Sequence, residues 1–148
     1  MNVELVSEIA VPFFIDTNIL LYTFDSSRPD KQAIARAILR HALYTQQGVI
    51  SSQVVQEFLN VAFKKLTPPM TIQEGQDYLQ TVLMPLCQHF PSRQFYGFAV
   101  RLKAQTGFSL YDALVLAAAV ESDCKVLLSE DLQHDRVIDG VRIINPFV

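Results

Sequence analysis

At 148 residues, with 50% apolar and 18% charged residues and a net charge of −3 at pH 7, this chain is too hydrophobic to remain disordered and too weakly charged to coat polyanions through net charge. Its length suits one domain, residues 1–148, large enough for a buried sheet covered by helices. The longest unbroken apolar run, residues 113–120, is far below the roughly 18 residues that span lipid, and the first residues lack a basic and then apolar leader pattern, so neither a membrane nor a secretory role is expected.

Residues 11–15 read as a short buried strand, with Pro12 near its start. Residues 19–24 fit a short helix. Asp30 is placed to N-cap a helix reaching about Tyr44, with Ile34, Ala37, Ile38 and Ala42 on one face. Gly48–Ser51 reads as a second strand. Ser52 then caps a helix carrying Val54, Val55, Phe58, Leu59 and Val61, which stops before Thr67-Pro68-Pro69. Thr71-Ile72-Gln73-Glu74 fits a capping box that opens a helix to about Met84, with Pro85 beyond it. An extended piece follows near residues 86–90. Ser92 opens another helix, which Gly107 can end in the left-handed conformation. Ser109 and Asp112 fit a second capping box before a helix that is apolar on every side and is therefore expected to be buried. Residues 125–129 and Val141–Ile144 read as the last strands. The alternation predicts an α/β sandwich around a mainly parallel sheet. Cys87 and Cys124 lie 37 positions apart with no metal-type spacing, which suits free thiols in a reducing cytoplasm.

The informative residues are acids where the apolar pattern disfavours them. Asp16 follows the first strand, in Ile15-Asp16-Thr17-Asn18, and Asp131 follows another, in Leu128-Ser129-Glu130-Asp131. Ligands of open α/β sheets bind beyond the carboxyl ends of the strands, so two strand-terminal acids can face one crevice. Glu57 lies on the helical stripe of Val54 and Val61, and Asp112 opens the most apolar helix. Singly, each has an ordinary role as a cap, a turn residue or an edge residue. Jointly they read as a carboxylate pocket for a hard divalent cation, Mg²⁺ or Mn²⁺. Without these four, 11 acids face 12 bases, so the excess negative charge belongs to the pocket. His41, His89 and His134 show no ligand spacing. Five glycines include no phosphate-cradling motif.

From Phe13 to Phe147 the chain resembles PIN-domain ribonucleases, most closely the VapC-type toxins of toxin–antitoxin pairs. The resemblance rests on the strand running into Asp16-Thr17-Asn18, on Glu57 in Gln56-Glu57-Phe58, on Asp112-Ala113 heading an Ala-rich helix, on Leu127-Leu128-Ser129-Glu130-Asp131 and on the closing Asn145-Pro146-Phe147. The acids are separated by 41, 55 and 19 residues. It implies a PIN-like three-layer sandwich with Asp16, Glu57, Asp112 and Asp131 as metal-binding and catalytic acids, and with Asn18 and Ser129 orienting the site. It further implies an RNA substrate, a cognate antitoxin and a homodimer. Asp135 stands where the family usually carries a small residue such as glycine, which leaves open whether Asp131 or Asp135 completes the site.

The chemistry expected is hydrolysis of RNA phosphodiesters with Mg²⁺ or Mn²⁺, without a Ser–His or Cys–His nucleophile. Arg28, Lys64, Lys65, Arg93, Arg101 and Lys103 are candidate backbone contacts, and Phe95, Tyr96 and Phe98 candidate stacking residues, although solvated faces and core packing are the more ordinary roles for them. A housekeeping RNA-processing nuclease, a metal-dependent phosphatase and a non-catalytic module of the same fold are the alternatives. Asn18 stands where a haloacid-dehalogenase-type phosphatase carries a second Asp.

Overall fold

The computed structural model of the chain describes residues 1–148. Six strands form one sheet: β1 (Phe13–Ile15), β2 (Gly48–Ser51), β3 (Cys87–His89), β4 (Val126–Leu128), β5 (Val137–Ile138) and β6 (Val141–Ile144). Their order is β3-β2-β1-β4-β6-β5, and only β5 runs antiparallel to its neighbour. Seven helices connect them: α1 (Thr17–Tyr22), α2 (Pro29–Thr45), α3 (Ser52–Lys64), α4 (Ile72–Tyr78), α5 (Met84–Leu86), α6 (Arg93–Thr106) and α7 (Leu110–Glu121). A short 3-10 helix, Val3–Glu8, packs against α2.

The architecture follows from burial. Phe13, Phe14 and Ile15 are all fully buried, which only a central strand covered on both faces allows. From β1 the chain steps through β2 to β3 on one side, then returns past β1 to β4 on the other. Right-handed crossovers therefore put α1–α5 on one face and α6 and α7 on the opposite face. The result is the expected three-layer α/β sandwich, with 35 buried apolar residues in one core. The reversal of direction between β1 and β4 makes their carboxyl ends a switch point, where a crevice must open.

Several local expectations need correction. Arg28 is the N-cap of α2 and Pro29 its first residue, so Asp30 lies in the first turn. Ser51, not Ser52, caps α3 by accepting from the Val54 N–H. The helix from Thr71 does not end at Met84. It widens to a π turn over Leu79–Leu83, then continues through Met84–Leu86 with Pro85 inside it. A π turn relaxes the hydrogen-bond ladder just where proline lacks a donor. The Ser109 cap is one-sided: its hydroxyl accepts from the Asp112 N–H, with no return bond from the Asp112 carboxylate. The Thr71–Glu74 box is reciprocal, as expected, and Gly107 ends α6 at φ 78°.

Candidate active site

Asp16 is the residue immediately beyond β1. It N-caps α1, accepting from the Thr17 N–H at 2.8 Å, and only 7% of its surface is exposed. Its second oxygen accepts from the hydroxyl of Ser129, the residue immediately beyond β4, at 2.7 Å. Both sides of the switch point thus meet on one carboxylate. Burial is the main cause that raises the Asp16 pKa to about 6. The Ser129 and Thr17 hydrogen bonds oppose that rise, and the charges of Glu57 and Asp131 add to it.

Glu57 reaches the same place from the second turn of α3, where the Thr17 hydroxyl donates to it at 2.8 Å. Asp131 arrives from the loop after β4, its Oδ2 accepting from Asn18 Nδ2 at 3.0 Å. The Asn18 amide also lies 3.4 Å from Ser129 Oγ, and its carbonyl accepts from the Glu130 N–H at 3.3 Å. Asp16, Asn18, Glu57, Ser129 and Asp131 therefore form one hydrogen-bonded constellation. Thr17 is the residue that sequence reasoning missed. Its backbone N–H serves Asp16 and its hydroxyl serves Glu57, and the second contact, 40 positions away, leaves no local signal in the sequence.

Asp112 is placed differently. It lies half-buried in the first turn of α7, beside the Tyr111 carbonyl that accepts from Gln53 of α3 at 3.4 Å. The helix leads into β4, so its start lies towards the carboxyl edge of the sheet. The charges that raise Asp16 are those of Glu57 and Asp131, and Asp112 is not among them. Asp135 turns away from the crevice and pairs with Arg142 at 2.6 Å on the exposed surface.

The donors are carboxylate, amide and hydroxyl oxygens, the set that suits a hard cation. A buried carboxylate with two acidic neighbours is also relieved by a cation. No three of the His, Cys, Asp and Glu side chains are gathered into one direct coordination sphere. The residues fit a Mg²⁺-type ion that keeps several of its waters, not a cage of protein ligands alone.

Two grooves open in the surface, and the first reaches the constellation at Asn18. One, of about 600 Å³, is lined by Asn18, Tyr22, Phe24, Lys65 and Glu130, among others. Another, of about 420 Å³, lies among Gln53, Tyr96, Tyr111 and Leu114. Of the candidate RNA contacts, Lys65 lines the first groove, and exposed Tyr96 and buried Phe95 line the second. Phe95 is buried against His89 and Phe98 is half-buried, which is core packing. Arg28 pairs with Asp30 and Arg101 lies over the Phe98 ring, while Lys64, Arg93 and Lys103 are exposed. No helix is long and apolar enough to cross a membrane.

The same arrangement of strands is found in solved structures. VapBC2 from Rickettsia felis, crystallised bound to a DNA fragment from its promoter, superposes with a TM-score of 0.60 at 19% identity, over 88% of this chain and 96% of that one. FitAcB from Neisseria gonorrhoeae gives 0.61 at 16% identity, over 91% of this chain and 98% of that one. No curated protein matches the sequence significantly. The family model described as PIN domain matches residues 13–139, a span that opens at β1 and takes in every acid of the set. By that match and by the fold around the β1–β4 switch point, the chain belongs to the PIN-domain family.

Proposed function

We propose that this protein is an endoribonuclease that hydrolyses RNA phosphodiesters with Mg²⁺ or Mn²⁺, and that it is the toxin of a toxin–antitoxin pair. The observation that carries the reading is Asp16, a buried carboxylate with a raised pKa, clamped by Ser129 and the Thr17 N–H at the sheet's switch point beside Glu57 and Asp131. Membership of the PIN-domain family supports nuclease chemistry. Likeness to VapBC2 supports an antitoxin partner and, through the family resemblance, a homodimer.

In this reading Asp16 and Asp112 would be the main ligands of the cation. Glu57 would bind it directly or through water, or would accept the proton of the attacking water. Asp131 completes or supports the set, Asn18 orients Asp131, and Ser129 and Thr17 orient Asp16 and Glu57. A bound divalent ion lowers the pKa of water and offsets charge on the phosphate oxygens. The carboxylates make no covalent bond to the substrate. Without a cation the pocket repels a phosphodiester, so activity depends on metal.

The test compares a labelled oligoribonucleotide with a phosphomonoester, each with Mn²⁺ and with chelator. Metal-dependent internal cleavage of the RNA alone supports the reading. Phosphomonoester turnover would make the protein a phosphatase, and no turnover of either would leave a non-catalytic module. Co-purification of a small protein that inhibits cleavage tests the toxin assignment.

A further inference from the structure

Glu130 sits between Ser129 and Asp131, yet its carboxylate takes no part in the acid constellation and is held by Lys31 and Tyr22 at the wall of the groove that Asn18 also lines. Oε1 pairs with Lys31 Nζ, and Oε2 accepts from the Tyr22 hydroxyl at 2.6 Å. The Lys31 side chain is 16% exposed and that of Glu130 24%, so this pair is largely withdrawn from solvent. The Lys31 ammonium also lies 5.0 Å from the centre of the Tyr22 ring and 5.4 Å from that of Phe147, and the two rings pack edge-on at 5.0 Å. Asn145 fixes the last member of this box, its Oδ1 accepting from the Phe147 N–H at 3.0 Å. The Asn145-Pro146-Phe147 ending thereby acquires a structural role at the site.

A hydrogen-bonded chain runs from the box to the acids. The Glu130 N–H donates to Asn18 Oδ1, Asn18 Nδ2 donates to Asp131, and Ser129 Oγ, beside the same amide, donates to Asp16. Displacing Glu130 would release the loop that carries both Ser129 and Asp131. It would also free a carboxylate to compete for the cation and repel phosphate.

We propose that Lys31, boxed by Tyr22 and Phe147, is a positioning residue that holds Glu130 out of the acid constellation and so sets Ser129 and Asp131 against Asp16 and Asn18. The inference rests on the ribonuclease reading above for its catalytic consequence. Lys31 is committed to Glu130 and two ring faces and does not contact RNA.

The test uses the full chain as parent, Lys31→Met, Lys31→Arg, Tyr22→Phe and the double variant Lys31→Met/Glu130→Gln. Mn²⁺ binding is measured by calorimetry, and kcat and KM on a labelled oligoribonucleotide. Outer-shell partners of metal ligands typically matter by about 10–100-fold, so Lys31→Met should lower Mn²⁺ affinity and kcat by about tenfold or more with KM for RNA little changed. Lys31→Arg should restore most of the loss. Removing the stray carboxylate in the double variant should restore part of it. Parent-like kcat and Mn²⁺ affinity in Lys31→Met would overturn the proposal, as would a raised KM with unchanged kcat, which would put Lys31 on the RNA. If Lys31→Met does not fold, Tyr22→Phe removes a single hydroxyl, and parent-like values there would overturn the proposal equally. A parent that binds Mn²⁺ but cleaves no RNA would sink the ribonuclease reading alone. The Mn²⁺ affinities of the variants would then decide the positioning role.

Discussion

The Ser129 hydroxyl donates to Asp16 Oδ2 at 2.7 Å, joining the ends of β4 and β1 across 113 positions of sequence. Together with the Thr17 N–H, this bond favours the ionised carboxylate, but burial outweighs both and the acidic neighbours add to the rise. The Asp16 site is thus organised to accept positive charge that the protein does not itself supply.

The raised pKa has a sign that can be measured in chelator. Folded Asp16 keeps its proton up to about pH 6, whereas an unfolded chain releases it near 3.9. Between these values the folded state binds the extra proton, so stability from this group is fully present below about pH 4 and lost as pH rises through 6. Asp16→Asn lacks the titration. Its stability relative to the parent should therefore improve between about pH 4 and pH 7, by roughly 1–3 kcal/mol. The Asn amide offers one acceptor oxygen where Asp16 offers two to Thr17 and Ser129, a loss that is the same at every pH and leaves the pH-dependent difference intact. Denaturant unfolding of both proteins across this range is the measurement. A flat difference would mean that Asp16 ionises freely in the metal-free fold.

The same substitution should separate folding from function. Asp16→Asn is expected to fold and to lose about 100-fold or more in cleavage rate. Mn²⁺ at about 100 times its Kd should stabilise the parent by about 2.7 kcal/mol. For a chain of this size that raises Tm by roughly 5–10 °C. Asp16→Asn should show less than about half that shift. Equal shifts in the two proteins would place the cation elsewhere.

Asp131 and Asp135 compete for the last place in the acid set, and their surroundings separate them. Asp131 accepts from Asn18, whereas Asp135 is half of an exposed pair with Arg142. Exposed pairs contribute about 0–1 kcal/mol. Asp135 also has φ 68°, the left-handed region where a small residue such as glycine is at ease. Asp135→Gly should leave cleavage unchanged and stability within about 1 kcal/mol. Asp131→Ala should lower kcat, and the double variant should match it. A larger loss in the double variant would show that Asp135 substitutes for Asp131.

Much of this was legible because apolar runs and caps are local. Phe13-Phe14-Ile15, the Thr71 capping box and the Gly107 stop depend on neighbours a few residues away. Strand-terminal acids were legible for the same reason, since a charge after a buried run has few places to go. Contacts spanning the fold were not legible. Nothing adjacent to Lys31 announces Glu130, and nothing adjacent to Thr17 announces Glu57. One missed element carried a signal. The two-residue β5 pairs with β6 through Asp139-Gly140, at φ 49° and 82°, and Asp-Gly between apolar residues is a hairpin turn of the primed type. Its shortness hid it among the loop residues.

Gly48 offers a test of the frame that holds the site. It opens β2, pairs with Phe13 of β1, and lies against α2. A Cβ built there would stand 2.3 Å from the Ala42 Cβ and 3.0 Å from the Ala42 Cα. The second atom is helix backbone, so rotamer changes alone cannot relieve the clash. Gly48→Ala should therefore push α2 away from the sheet and cost about 1–3 kcal/mol, the usual range for overpacking. Gly75 is the control, because the nearest atoms to its added Cβ all belong to the ring of Phe63, the closest at 2.4 Å, which is a side chain that can move. Gly75→Ala also gains helix propensity, about 1 kcal/mol in an open helix, so its net change should be smaller than that of Gly48→Ala. Denaturant midpoints of the two variants measure this difference. Equal midpoints would mean that α2 is not held rigidly over β2, and the close packing that keeps β1 and Asp16 in register would have to come from the opposite face.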